Sequence, residues 1–97
     1  MSQPLTIIAR IQAAPGQGDA LEEALRTLVG PTLAEPGCLN YDLHRSVETP
    51  GLFLFYENWQ TKAQWETHME SDHLRAYKES TADLVADFEL LQMEPVK

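Results

Sequence analysis

Glu57, Asn58, His68 and His73 follow one another in a short stretch that also holds both tryptophans, Trp59 and Trp65. A neutral imidazole with an ordinary pKa of about 6.5 takes a proton readily near neutral pH. An indole N–H or the Asn58 carboxamide can donate to a developing oxyanion. Glu57 sits on a strand whose neighbours are apolar, so its carboxylate must either pair with Arg10, Arg45 or a histidine, or line a polar cavity. Together these groups suit acid–base chemistry on a small planar molecule, with Phe53, Phe55, Trp59, Trp65 and Tyr77 as aromatic walls. Plainer roles exist for each: tryptophans fill small cores, His68 can bond a backbone carbonyl, and His73 can cap a helix. As a metal pair the two histidines are poor, being five residues apart across a helix break with no third ligand evident, so no metal is expected.

The elements that carry these residues are read from periodicity. Leu52 to Tyr56 follows the turn signal Thr49-Pro50-Gly51 and reads as a strand. Alternation puts Phe53, Phe55, Glu57 and Trp59 on one face and Leu52, Leu54, Tyr56 and Asn58 on the other. Both faces are largely apolar, which places the strand inside a sheet covered on both sides. Thr61 with Gln64 opens a helix on which Trp65, His68 and Met69 form one stripe. Ser71 and Asp72 cap another, with Leu74, Tyr77, Thr81, Leu84, Val85 and Phe88 as its buried stripe, before a last strand at Glu89 to Glu94.

Upstream, Leu5, Ile7, Ala9 and Ile11 alternate with polar residues in a first strand that stops at Ala14-Pro15-Gly16. The loop Gly16-Gln17-Gly18 lacks a third glycine and is followed by Asp19, so it reads as the approach to a helix capped by Asp19, not as a phosphate cradle. Leu21, Leu25, Leu28, Val29 and Leu33 form that helix's stripe, kinked at Gly30-Pro31 and ended by Glu35-Pro36-Gly37. Cys38 to Val47 is the second strand, with Leu39, Tyr41 and Leu43 on one face. Asn40, Asp42 and His44 take the other, where His44 reads as a solvated surface residue.

The order β-α-β-β-(short α)-α-β is that of an α+β, ferredoxin-like split βαβ fold, an antiparallel four-stranded sheet with helices on one face, over a single domain of residues 1–97. Helices can cover only one face of the third strand, so a homodimer with its two sheets facing each other is expected, across an interface of mixed polarity. The 97 residues carry a formal charge of -8 and seven scattered basic residues. That balance excludes nucleic acid and anionic membrane surfaces as partners. Cys38 is the only cysteine, so no internal disulfide forms, as a reducing compartment would allow. Met1 to Pro4 leads straight into a strand, and nothing reaches the length of a membrane span, so a cytoplasmic location is expected.

The segments Glu35-Pro36-Gly37-Cys38-Leu39-Asn40-Tyr41 and Tyr56-Glu57-Asn58-Trp59, followed by His68 and His73-Leu74, resemble the antibiotic biosynthesis monooxygenase family, which includes quinol monooxygenases. The likeness runs in order over nearly the whole chain. It implies a homodimeric α+β barrel that oxygenates quinols or polycyclic phenols with O2, using no metal, flavin or haem. The same fold also holds haem-degrading enzymes, but those carry an asparagine on the first strand and Leu5 to Ile11 has none. Without a cofactor, a phenol that loses its proton to His68 or His73 becomes electron-rich enough to reduce dioxygen. Two other functions share the fold. An isomerase of a small carbonyl compound would need cationic groups in the pocket, and Arg10 or Arg45 turned inward would favour it. A non-catalytic binding module would have its pocket filled by Phe53, Trp59 and Trp65 themselves.

Overall fold

The computed structural model describes residues 4–96; the expectation for Met1 to Gln3 lies outside them. In chain order the elements are β1 (Leu5–Ala13), α1 (Gly18–Leu33), β2 (Cys38–Arg45), β3 (Leu52–Trp59), α2 (Lys62–Met69), α3 (Asp72–Ser80) and β4 (Val85–Met93). The strands form one sheet in the order β2-β3-β1-β4, and every neighbouring pair is antiparallel. This is the ferredoxin-like α+β arrangement. Among the described residues, no helix is long and apolar enough to cross a membrane.

Alternation decides which side of the sheet meets the helices. Ile7, Ala9, Ile11 and Ala13 of β1 and Phe53, Phe55, Glu57 and Trp59 of β3 are all buried, as strand periodicity requires. Leu21, Leu25 and Leu28 of α1 close over them, each at most 2% exposed, and each contributes about 1.5–3 kcal/mol by leaving water. Along α1 the inward positions run Leu21, Leu25, Leu28 and Thr32. Leu33 is one step off that line and is 49% exposed, so it is not part of the stripe as expected. The helix does run past Gly30-Pro31. Its N-cap is Gln17, with no side-chain cap, and Asp19 lies inside the first turn, where an acid favours the helix dipole.

Three further expectations are corrected. The register of β2 against β3 slips between Cys38 and Asn40; this bulge turns Leu39 out to 54% exposure while Tyr41 and Leu43 stay inward. The last helix is shorter than its apolar spacing suggested. The Thr81 amide and hydroxyl both bond the Tyr77 carbonyl, at 3.0 and 2.7 Å, α3 ends at Ser80, and β4 begins at Val85. Leu84, Val85 and Phe88 satisfy a helical period, but Phe88 and Leu90 also satisfy a strand period opposite Ile11 and Ala9. β2 ends at Arg45, two residues before the expected Val47.

No described helix covers the other sheet face. There Ile8 stands between Tyr56 on β3 and Leu91 on β4, and Tyr56, Leu91 and Met93 are 42%, 41% and 49% exposed. The face is not uniformly apolar. Thr6 donates to Asn58 at 2.6 Å, and Asn58 donates to Asn40 at 2.9 Å.

Candidate active site

The turn between α1 and β2 positions the first side chain of the site. Cys38 N–H bonds the Glu35 carbonyl at 3.3 Å, with Pro36 second and Gly37, at φ 89°, third, the composition of a type II turn. The turn holds Glu35 over the start of α3 and the end of α2. Glu35 Oε2 lies 2.7 Å from His68 Nδ1 and 2.8 Å from His73 Nε2. Gly37→Ala should cost about 1–3 kcal/mol in urea unfolding, since φ is positive and a Cβ would meet the Gln64 side chain. A loss below about 0.5 kcal/mol would show that the turn relaxes freely.

Thr61 and Ser71 start the two helices that bring the histidines to Glu35. Thr61 Oγ1 accepts from Gln64 N–H at 3.2 Å and Ser71 Oγ from Leu74 N–H at 3.4 Å, both N-cap bonds. Glu35 can only accept as a carboxylate, so the proton in each bond belongs to the imidazole. His68 is thereby held with Nδ1 protonated and the Nε2 lone pair free. Its ring sits beside Trp59 at 4.9 Å and edge-on to Tyr41 at 5.6 Å between centroids. Burial pushes the His68 pKa below its ordinary value, the nearby Glu35 opposing the shift. The lowered pKa favours the neutral form of the oriented His68 ring. Its side chain is 3% exposed, Glu35's 14% and His73's 24%, so the three form a hydrogen-bonded path from the interior to water.

His68 also borders a cavity of about 60 Å³ with Phe55, Glu57, Trp65, Tyr77 and Lys78 among its walls, and neither Glu35 nor His73 lines it. Phe88 and Leu90 of β4 form its outer wall, and Phe88 is 55% exposed, so the cavity is poorly closed on that side. Glu57, 4% exposed, accepts from Trp59 Nε1 at 2.9 Å. Its partner is thus an indole, neither an arginine nor a histidine as considered above. Burial raises its pKa to about 7, only partly offset by the indole bond, so a second proton-exchanging group faces the same space.

The structure brings His68, Glu57, Phe55, Trp65 and Tyr77 together around this cavity. Trp59 stands behind, bonded to Glu57, and His73 behind Glu35. Phe53 is in the core cluster and away from the cavity wall, while Asn58 is on the opposite sheet face with Thr6 and Asn40. Arg10 pairs with Asp87 at 3.4 Å and Arg45 with Glu22 at 2.7 Å, both at the surface, so neither arginine turns inward, and Lys78 is the cation among the cavity walls. Glu35, read from the sequence only as part of a helix stop, is the member that the residue-by-residue reading missed; an acidic residue before a Pro-Gly turn was the available signal. Burial, with Glu57 and Glu35 nearby, pushes the Cys38 thiol up to about 11, which removes thiolate chemistry at neutral pH.

A ferredoxin-like sheet whose helical side encloses a carboxylate-held imidazole beside an aromatic cavity defines a class of small α+β protein. The chain belongs to the antibiotic biosynthesis monooxygenase family, whose model matches residues 4–80. It is 33% identical to Rv0793 of Mycobacterium tuberculosis over 85 residues, 88% of this chain and 83% of that protein. It is 29% identical to YgiN of Escherichia coli strain K12, named a probable quinol monooxygenase, over 94% of this chain and 97% of that one. The crystal structure of PA3566 from Pseudomonas aeruginosa superposes with a TM-score of 0.95 at 40% identity, covering 100% of this chain and 98% of that chain.

Proposed function

We propose that this protein is a cofactor-independent monooxygenase that oxidises a small aromatic quinol or phenol with O2, working as a cytoplasmic homodimer. The observation that carries the reading is the Glu35–His68 pair, which leaves a neutral imidazole nitrogen on the aromatic cavity. His68 Nε2 takes the phenolic proton, the phenolate transfers an electron to O2, and the resulting radical pair combines at a ring C–H carbon into a carbon-bound peroxide. The imidazolium, with Glu35 on its Nδ1–H, gives the proton back to the peroxide. Loss of the remaining C–H proton with cleavage of the O–O bond then releases water and leaves one oxygen of O2 on the ring as a carbonyl. The family membership and the name borne by YgiN support the same chemistry.

The cavity volume of about 60 Å³ corresponds to about two water molecules. A quinol ring must therefore use the poorly closed side at Phe88, and facing sheets of two subunits would bury Tyr56, Leu91 and Met93 at the same time. The same small volume favours one other reading, a dimeric module that binds a hydrophobic molecule without turning it over. Oxygen uptake by metal-stripped protein across a panel of hydroquinones and anthrones separates the two, and light scattering on the same sample reports the dimer. Turnover above the spontaneous rate supports the monooxygenase; saturable binding of a quinol without uptake would leave the binding module.

A further inference from the structure

Spacing alone made His68 and His73 a poor metal pair, because no third ligand was evident. The fold supplies it: Glu35 Oε2, His68 Nδ1 and His73 Nε2 come from a turn and two helices, and all lie within 4.8 Å of one another. We infer that these three atoms form a binding site for a divalent transition-metal ion such as Zn2+, entered from the His73 side. Two imidazoles and one carboxylate suit zinc and its neighbours far better than Mg2+ or Ca2+, which prefer all-oxygen shells.

The geometry needs little change. Ligand atoms about 2.1 Å from one ion lie about 3.0–3.4 Å apart. The two Glu35 contacts, at 2.7 and 2.8 Å, open by a few tenths of an ångström, and the histidine nitrogens draw together. The His68 ring is already gripped by Trp59 and Tyr41, and the Ser71 and Thr32 hydroxyls, each 3.3 Å from His73 Nε2, are placed to hold a water in the open position. His44, the remaining histidine, is on exposed β2 and bonds the Asp42 carbonyl, so it takes no part.

Occupancy has a chemical consequence, which rests on the function proposed above. A metal on Nδ1 displaces the proton held there, and the neutral ring then carries its proton on Nε2. The nitrogen facing the cavity becomes a donor and ceases to be a base. Zinc at this site thus silences the enzyme without touching the substrate cavity.

The test is calorimetric titration of Zn2+ into the metal-stripped full chain, with Co2+ absorption spectra on the unsubstituted protein as a second readout that requires no variant to fold. The expected result is one ion per chain, cobalt bands of imidazole ligation, binding weakened more than about tenfold in His73→Ala and Glu35→Gln, and binding unchanged in His44→Ala. No saturable binding, or binding that survives both site variants, overturns the site. Oxygen uptake with and without Zn2+ is a separate arm. Specific binding that leaves turnover intact keeps the metal site and overturns His68 as the base.

Discussion

His68→Gln is expected to lower cofactor-free oxygen uptake by about a hundredfold or more, the scale on which a positioned general base contributes. Glutamine retains a hydrogen-bonding end but cannot accept a proton at neutral pH, so the variant removes the chemistry and keeps most of the volume. The pH profile provides the sharper check. Burial holds the His68 pKa below its ordinary value, with Glu35 opposing. The acid limb of kcat/KM should therefore fall below the ordinary histidine pKa of about 6.5. In Glu35→Gln the opposing charge is gone, so the limb should move further toward acid. Its plateau should also drop, because nothing then enforces the Nδ1–H tautomer. Uptake within about twofold of the parent in His68→Gln would remove this histidine from the mechanism.

Glu57→Gln should change how stability depends on pH. The Glu57 pKa rises from 4.5 unfolded to about 7 in the fold, chiefly through burial. Its raised folded pKa means that its contribution is fully present below pH 4.5, declines as pH rises toward about 7, and is constant above. At about 1.4 kcal/mol per pH unit, the loss over that window is about 3 kcal/mol. The glutamine variant has no such loss. Its stability relative to the parent should therefore climb by that amount between pH 4.5 and pH 8 in urea melts. Any fixed cost of housing the new amide N–H2, about 1–3 kcal/mol, shifts the whole difference without tilting it. A difference that stays flat across this range would mean that Glu57 ionises as freely in the fold as in the unfolded chain.

Much of the frame is legible in the amino-acid order because it rests on local periodicity. The apolar run of β3 faces both ways, and it is an interior strand for that reason. Phe53, Phe55, Glu57 and Trp59 share the buried face, as their parity requires, and the same parity sets Asn58 on the other side. What could not be read depends on contacts between distant segments. Leu39 follows the strand alternation, but a bulge opposite β3 turns it out. Leu84 to Phe88 obey two periods at once, and only pairing with β1 decides between them. Glu35 becomes a site residue because a Pro-Gly turn swings it across to two helices more than thirty residues further on, at sequence separations of 33 and 38. Periodicity has no term for such a contact.

The strand order also bears on how the chain reaches this structure. The β2–β3 hairpin is the one local pairing in the sheet; Glu57 lies on it and Glu35 just before it, while His68 and His73 lie on the two helices that follow. β1 and β4 come from opposite ends of the described chain, and the central strand must close long loops to find both its neighbours, Ile7 against Glu57 and Ile8 against Leu91. Closures of that length carry an entropic cost before any contact rewards them, which slows folding toward the millisecond-to-second range. An early hairpin would thus present Glu57 before that side chain has a floor. Ala9 and Ile11 of β1 and Leu90 of β4, which line the cavity, arrive with the slow step, so catalytic competence should appear with the final docking of the chain's ends and not with the hairpin.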